Sequence, residues 1–179
     1  CLELDQEVKI YEKMLGLSDF NCHIAPHTLR VAAMFSIMSR LKDSGKCDLL
    51  TKMKIYNGEE VIEKGRVKRV DIKDLREEAP REGMSGISTR FITKALDSAL
   101  TDSENDMITP VSVMESLTAM IKEQIQDADF RTKCLGLIQQ TVREEYLKIL
   151  ENEIAKAFVS AYEEQAQSLF DSYLDNAEA

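Results

Sequence analysis

The chain has 179 residues, a formal net charge of −9 and a hydrophobic fraction of 44%, enough for a real core in one ordinary domain or two small ones, which argues against global disorder. Seven Gly, three Pro and no Trp point to helices rather than to a turn-rich β protein, and the acidic balance argues against general nucleic-acid or acidic-membrane binding, which requires clustered cations. Cys1, Cys22, Cys47 and Cys134 are far apart and form no C-x-x-C pair; with no signal peptide and no apolar run long enough for a membrane span, reduced thiols in a cytoplasmic protein are expected.

The sequence opens at Cys1 without an initiator Met, already approaching a helix, and reads as a piece of something longer. Over Asp5 to Leu15, Val8, Tyr11, Met14 and Leu15 recur at helical spacing until Gly16. Asn21 to Ala25 reads as a loop. Pro26 stands at the expected first turn of a helix running to about Lys42. Leu29, Ala32, Ala33, Phe35, Ile37, Met38 and Leu41 make that helix apolar over a broad face, so it belongs in the core. Asp48 to Tyr56 reads as a shorter helix closed by Asn57-Gly58, where glycine suits a left-handed cap. Glu59 to Arg81 admits two readings, a brief extended segment marked by Val67, Val70 and Ile72, or a short acidic-capped helix from Asp71 to Glu78. Lys64, Arg66, Lys68, Arg69, Lys73 and Arg76 fall in this stretch. They fit a solvated linker or helix face, or else a contact with an acidic partner surface or a nucleotide.

Ser88 to Leu100 and Pro110 to about Gln124 read as helices joined by the polar turn Thr101 to Asp106, and Asp127 can cap a further helix carrying Phe130, Cys134, Leu137 and Ile138. From Leu137 onward there is neither Gly nor Pro; as one helix this segment would run roughly 65 Å. Its apolar residues Ile138, Val142, Tyr146, Leu150, Ile154, Phe158 and Tyr162 are spaced by four and drift round a 3.6-residue helix, so no single buried stripe or heptad seam results. Either the helix turns successive faces to different partners, or it breaks, with Ser160-Ala161-Tyr162-Glu163 matching a capping box. No internal repeat is present.

Little classical chemistry is visible. His23 and His27 lie four apart beside Cys22, but Pro26 disfavours helical geometry before it and no third or fourth ligand stands at useful spacing, so no metal site is expected. No G-x-S-x-G elbow, kinase signature or G-x-x-x-x-G-K-[ST] loop occurs, and no catalytic residue is assigned. The most informative string is Gly83-Met84-Ser85-Gly86-Ile87-Ser88-Thr89-Arg90, a glycine-punctuated loop that ends in a serine cap and opens a helix with an arginine in its first turn. Such a start offers unpaired N–H groups and a positive dipole end, to which Arg90 adds a forked cation suited to phosphate oxygens. The plainer alternative is an arginine paired with a carboxylate of a neighbouring helix.

Gly86, Ser88 and Arg90 before a helix, followed by the threonine-proline start Thr109-Pro110, resemble the helical lid of AAA+ ATPases. The resemblance implies that Arg90 senses ATP bound by a neighbouring domain, with Ser88 and Gly86 beside the nucleotide. A closer resemblance covers nearly the whole chain. KIYEKML from Lys9, HIAPHTLRVAAMFSIMSRL from His23, KMKIYNGE from Lys52, EGMSGISTRF from Glu82 and AKAFVSAYEEQAQSLFDSYLDN from Ala155 look like the PrkA family of bacterial serine protein kinases. What this implies is an all-α fold: an AAA+ lid-like subdomain over residues 1–125, then a long helix or helical hairpin over 126–179 that leads into a kinase-related region. It further implies that ATP and Mg bind in the full-length parent but not in this piece, that an upstream AAA+ core of the same chain completes the site, and that partner proteins are phosphorylated on serine in stress or sporulation responses. Self-association is compatible with this reading; nucleic acid and membrane are not expected partners. A remodelling ATPase without kinase activity, or a helical scaffold without a nucleotide role, are the alternatives.

Overall fold

The structure, a computed structural model, describes residues 2–17, 23–63, 66–67, 70–101 and 107–178. It divides into two compact units, Cys1–Val142 and Arg143–Ala179. Cys1, Cys22, Lys64, Lys68, Arg69 and residues 102–106 of the expected polar turn lie outside the described residues.

In the first unit, α1 (Leu4–Leu17), α2 (Thr28–Arg40), α3 (Leu49–Tyr56), α4 (Ile72–Glu78), α5 (Thr89–Thr101), α6 (Pro110–Gln124) and α7 (Ala128–Gly136) follow in order, and α7 runs into a π-helical stretch, Leu137–Val142. Among the described residues the fold is all-α apart from two minimal sheets: β1 (His23–Ile24) pairs in parallel with β4 (Met107–Ile108), and β2 (Ile62–Glu63) pairs antiparallel with β3 (Arg66–Val67). Helix α2 is the axis of the core, with Val31 to Met38 buried throughout and α1, α3, α5 and α6 packed around it.

Local signals set most of the boundaries. Asp48, Asp71 and Asp127 each accept a backbone N–H in the first turn of the following helix, and Thr109 with Ser112 forms a reciprocal capping box ahead of Pro110. Asn57-Gly58 closes α3 with Gly58 at φ 77°. Of the two readings of Glu59 to Arg81, the helix capped by Asp71 and ending before Pro80 is present, whereas the extended segment reaches only Val67: Val70 lies in no strand and Ile72 opens the helix.

Three expectations are corrected. Asn21 to Ala25 is not wholly a loop, because His23–Ile24 forms a strand whose partner lies more than eighty residues away. Helix α2 starts at Thr28, not at Pro26. His27 occupies a left-handed conformation (φ 65°) without a capping side-chain bond, and Thr28 closes the start by donating its hydroxyl to the Ala25 carbonyl at 2.7 Å. Finally, α1 does not turn Met14 inward. Its buried face is Leu4, Glu7, Tyr11 and Leu15, with a carboxylate in the middle.

The second unit is one helix, α8 (Arg143–Glu178), which continues through Ser160 without a break. Ile154, Phe158, Val159 and Tyr162 are exposed along it. No helix among the described residues is long and apolar enough to cross a membrane.

Burial also sets thiol chemistry. Cys134 is fully buried in α7 and its pKa is pushed up to about 11 by that burial. A raised acid pKa contributes nothing below the unfolded value; above it the unfolded thiol ionises while the folded one cannot, so stability falls as pH rises. Burial raises the phenols of Tyr11 and Tyr56 as well, extending the trend upward. The urea midpoint should therefore be lower at pH 10.5 than at pH 8, by roughly 1–2 kcal/mol of unfolding free energy from Cys134. Cys134→Ala should flatten the onset of that decline, and an unchanged slope would assign it elsewhere.

Candidate functional site

The Gly83–Arg90 segment is held at both ends by buried polar groups that the hydrophobic pattern does not reveal. Ahead of it, the side chain of Glu82 is almost completely buried and lies against the fully buried Lys52 of α3, with Nζ–Oε1 at 2.6 Å. The same Oε1 accepts the Lys42 amide at 2.7 Å, Oε2 accepts the Tyr56 hydroxyl at 2.8 Å, and Lys52 also donates to the Lys42 carbonyl at 3.0 Å. Both carboxylate oxygens and the ammonium are thus engaged, the condition under which a buried ion pair is tolerated.

The turn then runs along the C-terminal end of α2. The Gly83 amide donates to the Arg40 carbonyl at 3.2 Å, and the Ile87 amide donates to Ser39 Oγ at 3.1 Å. Gly86 has φ 121°, and a Cβ there would stand 2.6 Å from the Ser39 carbonyl oxygen. Only glycine fits so close an approach. Beneath this contact, Glu7 Oε1 accepts from Tyr11 OH (2.7 Å), Ser36 Oγ (3.1 Å) and the Arg40 guanidinium, while Glu7 Oε2 is buried without a partner among the described residues.

From this platform α5 begins. Ser88 is exposed and its Oγ accepts the Phe91 amide at 3.3 Å, so it caps the helix. Arg90 is exposed, and among the described residues its guanidinium has no hydrogen bond or ion pair. Gly86 is oriented toward Ser39 and Arg40. The three residues singled out from sequence therefore share one turn but play different local parts: Gly86 allows close packing, Ser88 caps, and Arg90 extends outward. The exposed Met84 projects from the same turn.

Other sequence candidates do not converge. His23 lies on β1 and His27 precedes α2, and no group of three or more metal-type side chains gathers among the described residues. Lys73 and Arg76 are exposed on α4. A cleft of about 520 Å³ between α1 and the start of α2 is lined by Lys9, Glu12, His27 and Arg30 among others, and Arg30 is already bonded to Asp5 (3.5 Å) and Glu59 (3.2 Å). Sequence reasoning missed Glu7, Arg40, Lys52 and Glu82. One signal was available for Glu7, a carboxylate one helical turn from Tyr11 on the stripe Leu4, Tyr11, Leu15.

Comparison with known proteins adds the following. The model of the PrkA serine protein kinase C-terminal domain matches residues 50–179, and that of the PrkA AAA domain matches residues 1–48. The chain is similar to "ATP-dependent protease PrkA" of Bacillus subtilis (strain 168), 41% identical over 99% of this chain and 28% of the relative. It is also similar to "Serine/threonine kinase YeaG" of Escherichia coli (strain K12), 31% identical over 99% of this chain and 28% of that relative. The chain thus spans little more than a quarter of the curated relatives it matches. No solved structure matches it.

Proposed function

The chain belongs to the PrkA family, and from that premise we propose that it forms the lid and connecting helices of an ATP-dependent serine protein kinase, with Arg90 completing an ATP site whose core lies elsewhere in a longer polypeptide. The observation that carries this reading is the state of Arg90: exposed, without an ion pair among the described residues, and placed in the first turn of a serine-capped helix. Arg30 and Arg40, by contrast, are held in ion pairs within the fold.

The residues present fit one wall of a phosphate site. Helix α5 offers its positive end, Ser88 fixes that end, and Arg90 supplies a forked cation able to engage terminal phosphate oxygens. The G-x-x-x-x-G-K-[ST] phosphate-binding motif does not occur in these 179 residues, and ATP with its Mg would be held by residues of the core. ATP bound there supplies the transferable phosphoryl group, and this chain's own part is to orient and neutralise charge.

Arg90→Ala in a full-length PrkA-family protein carrying this sequence should lower ATP turnover at least tenfold, about 1.4 kcal/mol of transition-state stabilisation. A steady-state ATPase assay checks this, and unchanged turnover in a well-folded variant removes Arg90 from the site. A second reading, an ATP-driven machine that acts on proteins without phosphorylating them, is a remodelling ATPase; the Bacillus subtilis relative is named an ATP-dependent protease, not a kinase. Transfer of labelled γ-phosphate to serine in a protein substrate separates the two, since remodelling consumes ATP without it.

A further inference from the structure

The two family matches meet between residues 48 and 50, yet the structure has no seam there, because Cys1–Val142 forms one compact unit. Contacts cross that point repeatedly. Lys42, on the AAA-matched side, is bonded to Glu82 and Lys52 on the other, Arg40 to Gly83, and Ser39 to Ile87. The parallel pair β1–β4 crosses it again, reinforced by the Ala25 amide on the Ile108 carbonyl at 2.9 Å.

Ser39 holds the most telling place in this set. Its hydroxyl donates to the Ser36 carbonyl at 2.7 Å and accepts the Ile87 amide at 3.1 Å, so one oxygen ties the last turn of α2 to the residue before the α5 cap. Ser39 and Ile87 are both buried, which shields the bond from competing water. Arg90 follows three residues later, and the cap and first helical turn between them are internally bonded.

We infer that Ser39 is a positioning residue for Arg90: the AAA-matched helix α2, through this hydroxyl, fixes where the C-terminal region presents its cation. The inference rests on the nucleotide role proposed for Arg90. It also means that a displacement of α2 carries the start of α5 with it, so a change of nucleotide state passes into the C-terminal region through the body of the fold instead of through a linker at 48–50.

The test uses Ser39→Ala, which removes only the hydroxyl, with Ser39→Thr as the variant that keeps it. In the 179-residue chain, hydrogen exchange at the Ile87 amide should accelerate at least tenfold in Ser39→Ala and be largely restored in Ser39→Thr. In the full-length protein, Ser39→Ala should lower kcat for ATP turnover several-fold with little change in KM, and the Ser39→Ala/Arg90→Ala pair should be no slower than Arg90→Ala alone. Wild-type exchange at Ile87, or an equal further loss of turnover in the Arg90→Ala background, overturns the inference. If Arg90→Ala itself leaves turnover unchanged, the nucleotide reading fails and takes the positioning role with it; accelerated exchange at Ile87 would then identify the contact as part of the fold only.

Discussion

Lys52→Met should lower the unfolding free energy by about 3–5 kcal/mol, the usual cost of leaving one member of a buried ion pair without its partner. Lys52 is fully buried and its ammonium is bonded to Glu82 and to the Lys42 carbonyl. Methionine fills much the same volume, so the loss is electrostatic and not a packing defect. The Glu82 carboxylate would keep the Lys42 amide and Tyr56 hydroxyl as donors, but neither carries charge. Urea denaturation at pH 7 reads the effect. The companion variant Lys52→Met/Glu82→Leu should recover part of the loss, because the stranded charge is gone; recovery stays incomplete because the Lys42 amide and the Tyr56 hydroxyl lose their acceptor. A loss below about 1 kcal/mol in the single variant would mean that water reaches the pair and that the turn has another anchor.

The same pair shows which parts of this protein could be read from its sequence. Helix starts were legible where the deciding bond is local: Asp48, Asp71, Ser88, Thr109 and Asp127 each bond an amide two or three residues ahead, so residue type and spacing contain the information. The core helix α2 was legible because its apolar face is nearly continuous. The pairing of His23–Ile24 with Met107–Ile108 was not, since two-residue strands carry no periodicity and their partners are remote in sequence. Buried polar groups were illegible for a related reason. In a hydrophobic pattern Lys52, Glu82 and Glu7 score as surface residues, and only tertiary contacts reveal that each has partners in the interior. Ser160 shows the opposite error, a local signal that the fold does not use. A capping box marks a start only where the preceding residues leave the helix, and Ala155-Lys156-Ala157 has no reason to do so. At the candidate site the cap and the cation were readable in Ser88 and Arg90, whereas the clamp that aims them lies in α2 and α3.

Gly86→Ala should be the most damaging single-atom addition in the turn, costing about 3 kcal/mol or more through a left-handed backbone and overpacking together. At φ 121° an L-residue is strained whatever its surroundings, and here the new Cβ would stand 2.6 Å from the Ser39 carbonyl oxygen and 2.9 Å from Arg40 Cα. Both neighbours are backbone atoms of the core helix and cannot rotate away. Gly83 provides the internal control. It too has positive φ, at 85°, but a Cβ there would meet only the Leu2 side chain, at 3.2–3.5 Å, which can adjust. Gly83→Ala should therefore cost distinctly less, on the order of 1–2 kcal/mol. Thermal unfolding of the two variants without nucleotide gives the ordering directly. Equal losses would assign the penalty to dihedral strain alone and weaken the case for close packing against α2. A Gly86→Ala protein as stable as wild type but unable to turn over ATP in the full-length polypeptide would place Gly86 against the nucleotide instead. Destabilisation that appears before any nucleotide is added ties Gly86 to the contact between the turn and α2, from which the direction of Arg90 follows.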